Sequence, residues 1–145
     1  MPEARFNRVH ASGAEVQLFR WFPATAEAVS LARAWVREIA LATGHGAIVP
    51  TLELLVSELA TNAIRHTDGE RFRVEFDAGA QVIVAVCDTE IAAPTVQHPG
   101  PMDETGRGLA IVQGMSDRWG AEIRRDGKCV WFQLADPPAR ATKVS

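Results

Sequence analysis

A chain of 145 residues, 47% hydrophobic and 23% charged, has the size and composition of one globular domain with a core of its own. The formal net charge is −3 and no Lys/Arg cluster exceeds the pair Arg124–Arg125, which argues against the basic stripe that a nucleic-acid groove needs. No apolar run approaches the roughly 18 residues of a membrane span. The opening MPEARFNRVHASG has no apolar signal core, so a cytoplasmic location is expected.

Residues 1–14 and the Pro-rich tail 136–145 are expected to be flexible ends around a domain spanning 15–135. EVQLFRWF (15–22) predicts a strand. Beyond Pro23, Thr25 is placed to cap a helix over AEAVSLARAWVREIALAT that stops at Gly44. GHG and Pro50 break the chain before a second helix, roughly 50–66. RFRVEFD (71–77) alternates polar and apolar residues and turns at AGA into QVIVAVCD (81–88), a hairpin with a buried second strand. Cys87 ends that strand and Cys129 lies in a later one. With no CxxC spacing and no export signal, both are expected as small buried hydrophobes, neither disulfide-bonded nor zinc-binding.

The segment TEIAAPTVQHPGPMDET (89–105) is 17 residues long, and its prolines at 94, 99 and 101 forbid a helix. A loop of that length inside a compact domain is expected to be a functional lid or disordered. GRGLAIVQGMSDRW (106–119) predicts a third helix, and AEIRR and KCVWFQL flank the turn DG at 126–127 as a second hairpin. This order predicts an α+β fold: a two-layer α/β sandwich, its mixed, mostly antiparallel sheet covered by helices on one face.

The second helix carries SELATNAIRHT (57–67), with Glu58, Asn62 and His66 at steps of four. At about 100° per residue, Asn62 falls near 40° and His66 near 80° from Glu58. Leu52, Val56, Leu59 and Ala63 occupy the apolar centre beyond them. The three polar residues thus form a stripe along the edge of the buried face. Singly, each is an ordinary helix-flank residue, His66 included, since a late histidine can serve the last carbonyls. Two companions lie downstream. Asp88 ends an apolar strand at the mouth of the lid, and TGRGLAIV sets Gly106 and Gly108 at a helix start, where bare backbone amides can approach an anion. No Walker loop occurs.

Together these motifs resemble the GHKL superfamily of ATPases and kinases (the Bergerat fold). E-x-x-x-N-A-x-x-H from Glu58 to His66 is similar to its Asn-containing box. V-x-V-x-D ending at Asp88 is similar to its adenine-binding acid, and GRGLAIV to its second glycine box. The closing DRWG…GKCVWFQL resembles the small anti-sigma-factor serine/threonine kinase branch, and the likeness covers about residues 20–135. It implies ATP and Mg²⁺ as ligands, with Asn62 coordinating the metal and Glu58 as general base. His66 would line the nucleotide site and Asp88 would accept from the adenine amino group. Thr105, Gly106, Arg107, Gly108 and Leu109 would meet the phosphates, Arg107 as a charge partner. The implied partners are a sigma factor, which the domain would sequester, and an antagonist protein whose Ser or Thr it would phosphorylate.

One departure counts against turnover: the acid is followed by Thr89 and Glu90 where much of the superfamily has x-Gly, and Asp103 and Glu104 add further acids to the lid. A module on the same fold that binds a regulator with little or no catalysis therefore remains the alternative. A metal-hydrolase reading of His10, His45, His66 and His98 has no ligand spacing behind it. Trp35, Trp119 and Trp131 are expected to pack in or near the core, and Trp21–Phe22 could support a homodimer contact.

Overall fold

The computed structural model describes residues 16–67, 69–88, 104–125 and 127–136; residues 89–103 of the expected lid and both chain ends lie outside the described residues. In chain order the elements are β1 (Val16–Pro23), α1 (Glu27–Ala42), a 3-10 turn (Gly46–Ile48), α2 (Val49–His66), β2 (Arg71–Ala78), β3 (Gln81–Asp88), α3 (Glu104–Met115), β4 (Arg118–Arg124) and β5 (Gly127–Ala135). The strands form one sheet in the order β1-β2-β3-β5-β4, and every described pairing is antiparallel. The helices pack on one face, which is the α+β sandwich expected from the element order.

Alternation decides the two faces of the sheet. Phe72, Val74 and Phe76 of β2, Val82, Val84 and Val86 of β3, and Phe132 and Leu134 of β5 point into the main core. Against them α2 sets Leu52, Leu55, Val56, Leu59, Ala60 and Ala63, all buried. Phe22 stacks on Phe72 at 5.6 Å between centroids and meets Trp35 edge-on at 6.0 Å. The segment Gly46–His66 has the length and apolarity of a membrane span, which the sequence reading did not anticipate. Its packed apolar face makes it the central helix of this core.

The opposite face carries Arg73, Glu75 and a second apolar cluster of Ile83, Ala85, Cys87 and Cys129, backed by Trp131. Glu75 is buried there between two guanidinium groups, Arg73 at 2.9 Å and Arg124 at 3.2 Å. Close approach is required at Gly120 of β4, where a Cβ would stand 2.9 Å from the Trp131 ring.

Several local expectations need correction. Thr25 does not cap α1: Ala26 holds the cap position with no side-chain cap bond, and Thr25 contributes its carbonyl to the Ala28 amide instead. The helix does stop where expected, Gly44 taking φ +85° just beyond it. The third helix ends at Met115, not 119. Asp117 ends it by donating its N–H to the Gln133 carbonyl while its carboxylate accepts from the Ala135 amide, which starts β4 at Arg118. Phe22 is buried in the core at 1% exposure, and Trp21 lies beneath the Arg71 guanidinium at 3.8 Å. The exposed apolar residues of edge strand β1 are Leu18 and Phe19.

The largest correction concerns the cysteines. Cys87 and Cys129 stand directly opposite each other on β3 and β5, and they form a disulfide. Their Cα atoms are 4.0 Å apart, the close spacing of a non-hydrogen-bonded antiparallel pair. Each was expected to be buried, and each is; the strand register, invisible in the spacing of 42 residues, brings the two together.

Candidate active site

At one end of the sheet the second half of α2, the end of β3, the start of β5 and the body of α3 surround a small cleft. Leu59 and Ala63 of α2, Val86 of β3, Leu109 of α3 and Val130 of β5 make its apolar lining. Four polar residues share it: Asn62, His66, Asp88 and Lys128. The local reasons are simple. On α2 the apolar residues recur at helical spacing, so Asn62 at the border is half-buried and His66, a turn further, is exposed. On β3 Asp88 continues the core-facing row of Val82, Val84 and Val86, so its carboxylate enters the cleft instead of solvent. Asp88 is buried at 7% exposure, and its Oδ1 accepts from the Lys128 backbone N–H at 3.4 Å. A buried carboxylate requires such partners.

Glu58 does not line the cleft but adjoins it through α3. A Cβ on Gly108 would lie 3.1 Å from Glu58 Oε1 and 3.7 Å from Asn62 Nδ2. Only a glycine lets α3 come so close to this edge of α2. Asn62 therefore belongs to both features: it touches the Gly108 contact on one side and faces the cleft on the other.

Thr105, Gly106 and Arg107 lie in the first turn of α3, whose backbone amides have no intrahelical acceptors. The side chains of Thr105 and Arg107 lie outside the described residues, as do Glu90 and the rest of the segment 89–103. The helix begins two residues earlier than the sequence suggested, so Gly108 falls beyond that first turn. Its role here is proximity to Glu58 and Asn62. Among the described residues no group of three or more His, Cys, Asp or Glu side chains could hold a metal ion. The side-chain oxygen of Asn62 is of the type a hard cation such as Mg²⁺ takes from protein while keeping several waters.

Two further histidine and lysine positions merit comparison with the sequence reading. His45 is buried, with Nε2 3.1 Å from the Gly79 carbonyl and Nδ1 3.2 Å from Asp136 Oδ2; it ties the α1–α2 connection to the β2–β3 turn, away from the cleft. Lys128 was missed. The available signal was its parity: in KCVWFQL it begins the row of Val130, Phe132 and Leu134, a charge at the head of an apolar stripe.

No curated protein matches the chain closely enough to stand as a relative. The family model of the histidine kinase-like ATPase domain matches residues 22–134, from the end of β1 to the end of β5, and so takes in the whole cleft. The chain belongs to the histidine kinase-like ATPase domain family.

Proposed function

We propose that the protein binds ATP with Mg²⁺ in this cleft, phosphorylates a Ser or Thr of an antagonist protein, and sequesters a sigma factor that the antagonist would release. The observation that supports it is convergence: Asn62 and His66 of α2 share one cavity with Asp88 of β3, distant from them in sequence, and Glu58 and Asn62 meet Gly108 at its edge. Asp88 accepts from the exocyclic amino group of adenine at the strand end. Asn62 would hold the cation by its side-chain oxygen, and the backbone amides of the first turn of α3 would meet the phosphates. Mg²⁺, when bound, neutralises charge on the phosphate oxygens and helps align the transfer. Glu58, one helical turn from Asn62, takes the proton of the acceptor hydroxyl as its oxygen bonds to the γ-phosphorus and ADP departs.

Calorimetric titration with ATP and Mg²⁺ tests the site. Wild type is expected to bind in the micromolar range only with magnesium, and Asn62→Ala to bind far more weakly. Equal binding by both proteins removes Asn62 from the metal site. With labelled ATP and candidate antagonists, Glu58→Ala is expected to keep nucleotide and lose transfer. A homodimer belongs to this reading too, through edge strand β1 with its exposed Leu18 and Phe19. A single monomeric species in sedimentation at micromolar concentration would refute that part.

A second reading, a protein-binding module without turnover, draws on the size of the cavity. The described walls enclose a cavity of about 50 Å³, room for a few waters and well below the hundreds of Å³ of a ligand site. Labelled phosphate appearing on no antagonist, with sigma-factor binding intact, would favour it.

A further inference from the structure

We propose that Lys128 is a base-reading residue of the cleft, its ammonium donating to a ring nitrogen of the purine beside the amino group that Asp88 receives. The inference rests on the nucleotide reading above and assigns that site a second specificity group. Alternation along β5 places Lys128 on the core-facing side with Val130, Phe132 and Leu134, while Cys129 and Trp131 take the other face. Register places it opposite Asp88. Cys87 pairs with Cys129, so the next position outward on the two strands sets Asp88 against Lys128, and the 3.4 Å bond from the Lys128 amide to Asp88 Oδ1 agrees. The disulfide, one residue inward on both strands, holds this register.

Two single-valued groups, a carboxylate and an ammonium, thus belong to residues that line the same end of one cavity. An ionised carboxylate only accepts and an ammonium only donates. Their neighbour must offer a donor next to an acceptor, and the pyrimidine edge of adenine does so, with its N6 amino group beside N1. The triphosphate end is a poorer place for this lysine. Glu58 and Gly108, which mark that end, lie outside the cavity lining, whereas Lys128 and Asp88 lie within it. The lysine arm is exposed, so its head remains solvated until a ligand arrives and costs the fold little.

The test is a cycle of two proteins and two nucleotides, read by calorimetry with magnesium: wild type and Lys128→Met, each with ATP and with 1-deaza-ATP, whose ring has CH in place of N1. Lys128→Met is expected to bind ATP roughly ten- to a hundredfold more weakly, the range of one hydrogen bond from a charged donor. Wild type should lose a similar factor on 1-deaza-ATP, and the substitution should then cost nothing more. Lys128→Arg, which keeps a donor, should recover part of the ATP affinity. Equal ATP binding by wild type and Lys128→Met, or an equal loss on both nucleotides, would overturn the inference while leaving the nucleotide site in place. Absence of ATP binding by wild type would instead overturn the reading on which it rests.

Discussion

Breaking the Cys87–Cys129 bond should lower stability by an amount that the fold allows one to calculate. The bond closes a loop of 42 residues between β3 and β5. In the chain-entropy treatment a loop of that length removes about 13 cal/mol/K from the unfolded ensemble, or roughly 4 kcal/mol at 25 °C. Reduction leaves two thiols in the same packed cluster, where a free cysteine behaves as a small hydrophobe, so lost contacts add little to this. Out of a total of about 5–15 kcal/mol for an ordinary domain, a loss of roughly 3–4 kcal/mol should lower Tm by about 10–20 °C. Burial adds a kinetic expectation. With the two residues 4% and 1% exposed, a small phosphine should reduce the bond slowly in the native protein and quickly in urea. Thermal melts of oxidised protein, reduced protein and the Cys87→Ala/Cys129→Ala double variant, with thiols counted by alkylation and mass spectrometry, decide the matter. Tm values within about 2 °C of one another, with the redox state verified, would refute the stapling argument. The bond also bears on location. A reducing cytoplasm keeps such pairs as thiols, so there the domain would work at the lower of the two stabilities.

Other sites give sharper local tests. Gly108→Val would drive a branched side chain into Glu58 Oε1, which a Cβ already approaches to 3.1 Å; α3 should shift, with about 1–3 kcal/mol lost in urea denaturation and nucleotide binding abolished in calorimetry. Gly120→Ala meets the Trp131 ring at 2.9 Å and should cost about 1–2 kcal/mol by the same assay, with a change in tryptophan fluorescence; an unchanged midpoint would contradict the packing. Glu75→Gln removes the carboxylate that Arg73 and Arg124 share on a largely buried site, Arg124 keeping Glu122 at 3.3 Å, and should cost about 2–3 kcal/mol in chemical denaturation.

How much of this could be read from the sequence depends on the range of the interaction involved. Short-range patterns were legible. Alternation in RFRVEFD and QVIVAVCD gave β2 and β3, and the apolar spacing of α2 put Asn62 at the border of the buried face, where it lies half-exposed. Element ends were harder, because tertiary bonds move them. The third helix loses its last turn to Asp117, whose carboxylate and amide both join β5, and no helical propensity in MSDRW registers that competition. Thr25 has the right residue type for a cap, yet the helix starts from Ala26 with no side-chain cap bond.

What stayed hidden was cross-strand register, and the two misses share that cause. The register that brings Cys87 against Cys129 is set by the β3–β5 pairing, which spans 89–126 and with it the third helix and β4. The same pairing puts Lys128 opposite Asp88, so overlooking the disulfide and overlooking the fourth polar group of the cleft were one error. A strand pair fixes its side chains two by two: once any one pair is known, parity assigns the rest to a face and a partner. Had the cysteines been treated as a register marker, the lysine would have followed without coordinates. Each motif of the family reading lies on one element and could be found alone; the disulfide and the lysine exist as features only between two elements.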